Sequence, residues 1–419
     1  MRFALTTFLA FTLLLGGCDV QPKDVSAVGI PSATPFQPGL ENGSDSLYAD
    51  SAPTPLNLPT LTPAPPTPTP VLILPETLPD EVDVPAFTLP TNLNPLTGLP
   101  PSDPALLERR PMAIKVANYP RYIRPQSGLT LADQVFEYYI EGGLTRNIAI
   151  FYGNDSDWVG PVRSGRFFDE NIARMYQAYL VFKFADPRVL SYFETTDIAD
   201  FLVVPTNGSC PPFRLMTTRQ IEVYNNSYFN TLLWDGCIAE NGLRNDRPAI
   251  RNGFFSDTVL QSADLPGTKV YTYYSDYSYN YWEYVPGTGE YVRYQETDDM
   301  RNGKEEKYEP LMDNVTSEQV HAANVVVLFA YHTFANPFNQ EDEVYNIDLT
   351  GSGEAYVFRD GEAFVARWYR TNKNQPLLLA GMNGTPINMR PGITFYEVIG
   401  TNSFASQGDG EWFFHHATP

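Results

Sequence analysis

The placement of proline constrains this chain more than any other feature. Eight of the 37 prolines fall within the twenty residues SAPTPLNLPTLTPAPPTPTP, 51 to 70. Each removes a backbone donor and favours an extended polyproline II path, so no helix or central strand forms there. From Asp19 to about Asn92 little apolar periodicity appears, and the segment 19–92 reads as a disordered tether. At about 3.1 Å per residue, a fully extended tether holds a body on the order of 200 Å from its anchor. A docking segment for a proline-reading partner is the alternative. Folding is therefore left to the sequence beyond residue 92, within a 419-residue chain that has room for two domains of roughly 150 residues.

The chain starts MRFALTTFLAFTLLLGGCDV, with one basic residue, Arg2, and an uncharged run from Phe3 to Gly17. A comfortable membrane span needs about 20 apolar residues, so the shorter run reads as a secretory signal. Its ending, Leu15-Gly16-Gly17-Cys18, resembles the bacterial lipobox, in which the cysteine thiol is diacylated and becomes the new N-terminus. Residues 1–18 are thus expected to be a lipoprotein signal peptide. Acyl chains on Cys18, at about 0.8 kcal/mol per buried methylene, would anchor the protein outside the cytoplasm. Cys210 and Cys237 are the other two cysteines. An even pair in an exported chain is a candidate disulfide, and two buried free thiols are the alternative. The net charge of -21 excludes nucleic acid as a partner, because phosphate recognition needs a basic face. It also argues against purely electrostatic adhesion to anionic lipid.

Past residue 92 the patterning changes. MAIKVAN (112–118) reads as a strand. VFEYYIEGGLTRNIAIFYG reads as a hairpin broken at Gly142-Gly143, with Val135, Glu137, Tyr139 and Glu141 on one face and Phe136, Tyr138 and Ile140 on the other. FFDENIARMYQAY carries Phe168, Ile172, Met175 and Tyr179 at helical spacing. AYLVFKFA is a further strand and PRVLSYF a short helix. This alternation predicts an N-terminal α/β domain over residues 93–250. From 251 to 419 the chain turns to aromatic-rich strands around PGTG, the run NVVVLFAYHTF, and alternating segments about Asp360-Gly361, a type I′ hairpin signal. A predominantly antiparallel β domain is expected there, giving an α+β chain overall. Its many tyrosines suit cross-strand packing, with a sugar-stacking platform as the alternative.

The candidate functional residues form a polar set in the first domain: Arg124, Gln126, Asp133, Glu137, Glu141, Arg146, Arg163 and Arg166. The last two lie in the glycine-broken loop WVGPVRSGR, 158–166, ahead of a helix. Two forked guanidinium groups beside a helix N-terminus can clamp a carboxylate or phosphate. They can equally neutralise Glu137 and Glu141 inside the fold. As a glycosidase pair those two glutamates would stand about 13 Å apart along a strand, whereas the chemistry needs carboxyls about 5 to 10 Å apart. The histidines, His321, His332, His415 and His416, lack metal-ligand spacing, and the adjacent pair near residue 416 is expected in a disordered tail. No phosphate-loop lysine, dinucleotide fingerprint or nucleophile elbow occurs, so no cofactor is expected.

NPLTGLP, RPMAIKVAN, RPQSGLTLADQVFEYYIEGGLTR and VGPVRSGR, then NVVVLFA, GSGEAYVFRDGEAFVARWYR and NMRPGITFYEVI, together resemble the YerB-like bacterial lipoproteins. The resemblance covers nearly everything after residue 92. It implies a surface lipoprotein with an N-terminal domain of unknown function and a β-rich C-terminal one, and no reaction. Members usually carry a strand ending in His-Ala-Gly-Gly after the helix. Here the stretch is VFKFADP, with Lys183 and Asp186 and no histidine. The reading is a monomeric, lipid-anchored binding or accessory protein for an anionic wall polymer or an envelope protein. A wall glycan or peptide hydrolase and a solute-binding lipoprotein are the alternatives.

Overall fold

Short apolar runs bounded by glycine and proline become strands of two sheets in the computed structural model, which describes residues 89–205, 213–251, 254–258, 263 and 265–419. The larger sheet has twelve strands. One side of it holds β1 (Met112–Ala117), β2 (Gln134–Tyr139), β3 (Thr145–Phe151), β4 (Tyr179–Val181) and β5 (Leu202–Val203) in the order 2-3-1-4-5. The other side runs outward from β19 (Thr394–Gly400) through β14 (Asn324–Phe334), β16 (Gly351–Arg359) and β17 (Glu362–Arg370) to β18 (Leu378–Gly381). Two short strands, β8 (Leu265–Pro266) and β15 (Tyr345–Asp348), pair with β17 and β14. A separate hairpin joins β6 (Phe213–Leu215) to β7 (Ser227–Phe229).

The second sheet follows the order β12 (Tyr308–Pro310), β11 (Glu290–Glu296), β10 (Ser278–Val285), β9 (Lys269–Ser275), β21 (Glu411–His415), β20 (Phe404–Gly408), with β13 (His321–Ala322) on β11. Three α-helices accompany the sheets among the described residues: α1 (Asp169–Tyr176), α2 (Pro187–Thr195) and α3 (Trp234–Asn241). The body is mostly sheet. Among the described residues, no helix is long and apolar enough to cross a membrane.

Local chemistry explains several of these boundaries. Asp360 and Gly361 have φ of 56° and 77°, and Arg359 pairs with Glu362 across them. That is the primed turn whose twist matches the flanking strands. The hairpin of β2 and β3 also forms, but Glu141 leaves the strand in a 3-10 turn over Glu141–Gly143. The α1 helix stops at Gln177, which adopts the left-handed conformation, so Tyr179 opens β4 instead of adding a helical position. Leu89 is already buried, a few residues before the expected start of folded sequence.

The two sequence segments share the larger sheet. Strand β19 lies parallel to β2, from Thr394 beside Gln134 to Val398 beside Tyr138. The α/β character is confined to the parallel run β1, β4, β5 and to α1 and α2. Every residue of β1, β2, β3 and β19 is buried, as expected of strands covered on both faces. Helix-side contacts include Tyr138 against Phe168, with ring centroids 4.2 Å apart. On the opposite face Trp282 of β10 meets Phe395 at 4.7 Å, and Phe414 of β21 meets Tyr356 at 5.1 Å. The residues expected to form a loose tail are ordered: the His416 ring stacks 4.6 Å from Tyr139, and its Nδ1 accepts from the Gly400 N–H at 3.0 Å.

A buried ion triad joins the two sheets. Glu137 and Glu397 sit side by side on β2 and β19, both fully buried. Arg293 reaches up from β11, donating to Glu397 Oε1 at 3.0 Å and to Glu137 Oε2. Trp282 Nε1 at 2.8 Å and Tyr274 Oη at 3.0 Å also donate to Glu397, while Asn118 Nδ2 donates to Glu137 at 2.9 Å. Burial first, then the neighbouring Glu137 charge, pushes the Glu397 carboxyl up to about 7. Without the guanidinium the two carboxylates would repel in a low-dielectric slot.

Replacing Arg293 by Met is expected to cost about 3 to 5 kcal/mol in urea unfolding, because a carboxylate pair is left unpaired. The triple change Glu137→Gln, Arg293→Met, Glu397→Gln should recover part of that loss. The raised Glu397 carboxyl binds its proton more tightly folded than unfolded. Its stabilising contribution is therefore present in acid and lost as pH rises through about 7. Melting temperatures followed from pH 5 to pH 8 should show that fall, and Glu397→Gln should flatten it.

Candidate functional site

The segment 158–166 runs as an extra strand along the end of β1. Ala117 N donates to Pro161 O at 2.8 Å, Arg163 N to Lys115 O at 3.1 Å, and Lys183 N to Arg163 O at 2.9 Å. Gly160 enables this path. Its φ is 149°, and a Cβ there would come 2.8 Å from Val162 N, so only glycine fits. The backbone thus places Arg163 between Lys115 and Lys183, with Arg146 of β3 opposite Ala117 and Tyr138.

Arg166 is consumed by the fold. Its Nε donates to Glu141 Oε2 at 2.9 Å, its second terminal nitrogen bonds Oε1, and the first donates to Gly165 O at 2.9 Å. Burial raises the proton affinity of Glu141, but the Arg166 bonds and charge outweigh it and hold the carboxyl below its usual value. The first turn of α1 is satisfied internally as well. Asp169 Oδ2 accepts from Arg166 N at 2.8 Å, and Oδ1 accepts from Lys115 Nζ at 2.9 Å and Tyr138 Oη at 2.5 Å. Lys115 and Asp169 are wholly buried, and burial draws the Lys115 ammonium down to about 7 against the pull of Asp169. The helix terminus therefore has its counter-charge inside the protein.

Arg146, Arg163 and Lys183 differ from these. The ion pairs at this end of the sheet are Lys115–Asp169 and Arg166–Glu141; among the described residues, none involves the other three cations. Arg146 is 5% exposed; one terminal nitrogen donates to Thr145 O at 2.9 Å, and its Nε has no partner. Burial, then the charges of Arg163 and Arg166, draws its proton affinity down to about 9. Arg163 makes a single long bond to Tyr224 O, 3.3 Å, and its Nε is likewise unpartnered. Lys183 Nζ donates to Val223 O at 3.1 Å. Around this basin stand Tyr122, 52% exposed, Phe184, 64%, and Tyr224, 54%. Arg166 and Phe184 also line a cavity of about 600 Å³ together with Glu141, Asp186, Glu341, Asp342 and Glu343.

The sequence-derived polar set is dispersed. Glu141, Arg146, Arg163 and Arg166 do come together. Glu137 belongs to the inter-sheet triad with Arg293 and not to the arginine loop, so it and Glu141 serve separate networks. Arg124 is engaged by Glu296, through the carboxylate at 2.6 Å and the backbone carbonyl at 2.6 Å. Gln126 donates to Ala117 O and Asn118 Oδ1. Asp133 accepts from Asn94, Tyr152 N and Gly153 N, and burial pushes its carboxyl up to about 7. Lys115, Asp169, Arg293 and Glu397 were not in that set. The signal for Lys115 and Arg293 was a lone cation inside an apolar or aromatic strand, MAIKVA and EYVRYQE. Cys237 is a buried half-cystine on α3, while Cys18 and Cys210 lie outside the described residues. The outer tyrosines of the second sheet stack on one another, Tyr281 on Tyr294 at 4.5 Å and Tyr271 on Phe413 at 4.8 Å, which occupies ring faces that a sugar would need.

The sequence that builds these sheets matches a known class of domains of unknown function. Residues 96–242 match the N-terminal domain, and residues 270–396 the C-terminal domain, of the protein family of unknown function DUF3048. The chain belongs to that family. It is 26% identical over 334 residues to the "Putative lipoprotein YerB" of Bacillus subtilis (strain 168), spanning 76% of this chain and 89% of that protein. The crystal structure of YerB from Bacillus subtilis has a similar fold, with a TM-score of 0.60 at 22% identity, covering 73% of this chain and 96% of that one.

Arg166→Ala removes a partly exposed pair and should lower unfolding free energy by roughly 1 kcal/mol. Asp169→Ala strands a buried ammonium and should cost about 3 kcal/mol or more. Urea denaturation of the two variants checks that ordering.

Proposed function

We propose that this protein is a lipid-anchored, extracytoplasmic binding protein that takes an anionic group of an envelope component at Arg146, Arg163 and Lys183. The observation that carries this reading is Arg146, a buried guanidinium with an unpartnered Nε and no ion pair of its own among the described residues, the nearby Glu141 being bonded to Arg166. Leaving such a charge unpaired is expensive, and an incoming anion would offset the cost. Arg163, close by, makes only a long bond to Tyr224 O, and two guanidinium groups together form the planar forks that suit carboxylate or phosphate. The acidic cavity at Arg166 would repel the same ligand and so confine it to the basin.

The anchor in this reading is a diacylated Cys18, with residues 19–92 as the tether and a Cys210–Cys237 bridge in the body. Kinship with a lipoprotein family supports the location. Because Arg166 is held by Glu141 while Arg163 is not, the two arginines separate by experiment. Arg163→Gln in the full chain should reduce retention on envelope fractions several-fold with its melting temperature unchanged. Equal retention of this variant and the parent would remove the binding role. Labelling with a palmitate analogue should mark the protein, and Cys18→Ser should abolish both the label and membrane sedimentation.

A further inference from the structure

The charge and rim of this basin narrow the ligand class, an inference that rests on the binding role just proposed. Arg146, Arg163 and Lys183 make no ion pair among the described residues, and Glu141, which acts on Arg146 and Arg163 at longer range, is bonded to Arg166. A carboxylate brings a single negative charge, whereas a phosphate monoester brings about 1.5 to 2 at neutral pH, with three strong acceptor oxygens. The dianion complements the basin better. Arg146 is 95% buried, so the group that reaches it must be compact and must project from the rest of the ligand.

What surrounds the mouth indicates what carries that group. Tyr122 and Tyr224 are each more than half exposed. Tyr122 Oη donates to Glu222 Oε2 at 2.7 Å and accepts from Asn225 Nδ2 at 2.9 Å, which fixes one aromatic wall of the rim. The Tyr224 ring lies beside the Arg163 guanidinium, 5.9 Å from its carbon. Aromatic bodies with polar tips suit a ligand that is apolar on one face and hydroxylated at its edge, and the exposed Glu222 supplies an acceptor for hydroxyls. A pyranose ring has that character. We infer that the basin takes a phosphate monoester carried by a sugar, the phosphate on Arg146, Arg163 and Lys183 and the sugar ring against Tyr224.

Isothermal titration of the full chain at constant ionic strength and pH 7 tests this with glucose 6-phosphate, inorganic phosphate, glucuronate and glucose as probes. Glucose 6-phosphate should bind about tenfold tighter than glucuronate, since the second charge finds partners. Tyr224→Ala should cost glucose 6-phosphate about fivefold, leaving inorganic phosphate unaffected. Arg163→Gln should weaken both phosphates. Should glucuronate bind as tightly as glucose 6-phosphate, or Tyr224→Ala change nothing, the phosphosugar assignment fails while the anion site stands. If none of the three anions binds, the assignment and the binding role fall together.

Discussion

One guanidinium between two carboxylates holds this architecture together. Arg293 rises from the smaller sheet to Glu137 and Glu397, which lie on neighbouring parallel strands at the middle of the larger sheet. Apolar contacts such as Trp282 on Phe395 supply most of the attraction between the sheets, yet they tolerate sliding. The triad does not. Its bonds are directional and buried, so a shift of one residue in the β2–β19 register would turn a carboxylate away from its partner and leave a charge unpaired.

Strand β2 carries that restraint to the opposite face. Successive side chains alternate, so Glu137 points to Arg293 while Tyr138 points to Lys115 and Asp169 beneath the arginine loop. One rigid strand therefore braces both the contact between sheets and the floor of the cationic basin. The contrast among the arginines follows. Arg124, Arg166 and Arg293 are paired with carboxylates, whereas Arg146 and Arg163 are held in place by backbone geometry and keep unpartnered donors. In a chain with 49 acidic residues against 28 lysines and arginines, carboxylates are plentiful, yet Glu141, which stands near this spot, is taken up by Arg166.

Features encoded within a few residues were legible in the sequence. NVVVLFAYHTF is strand β14 from end to end, and Asp360-Gly361 turns a hairpin as its residue types demand. The arginine loop was identifiable from its glycines and proline. What stayed hidden was set by distant pairing. Nothing near Glu137 announces that β19 will lie beside it, or that Arg293 will take the place expected for Arg163. Lys115 and Arg293 are buried, and nothing in the strands that carry them names the distant carboxylates of Asp169, Glu137 and Glu397 with which they pair. Glu141 was misplaced for a simpler reason: the Gly142-Gly143 break takes effect one residue early, and the 3-10 turn lifts it off the strand face.

The position of β19 also has a consequence in time. It fills the gap between β2 and β14 and is hydrogen-bonded on both sides, yet it is among the later segments of the chain to be synthesised. Until it arrives, β2 keeps an open, apolar edge, and Glu137 lacks its companion. The larger sheet therefore closes only once residues 394–400 are made, and until then the β2 edge is free to pair with another strand.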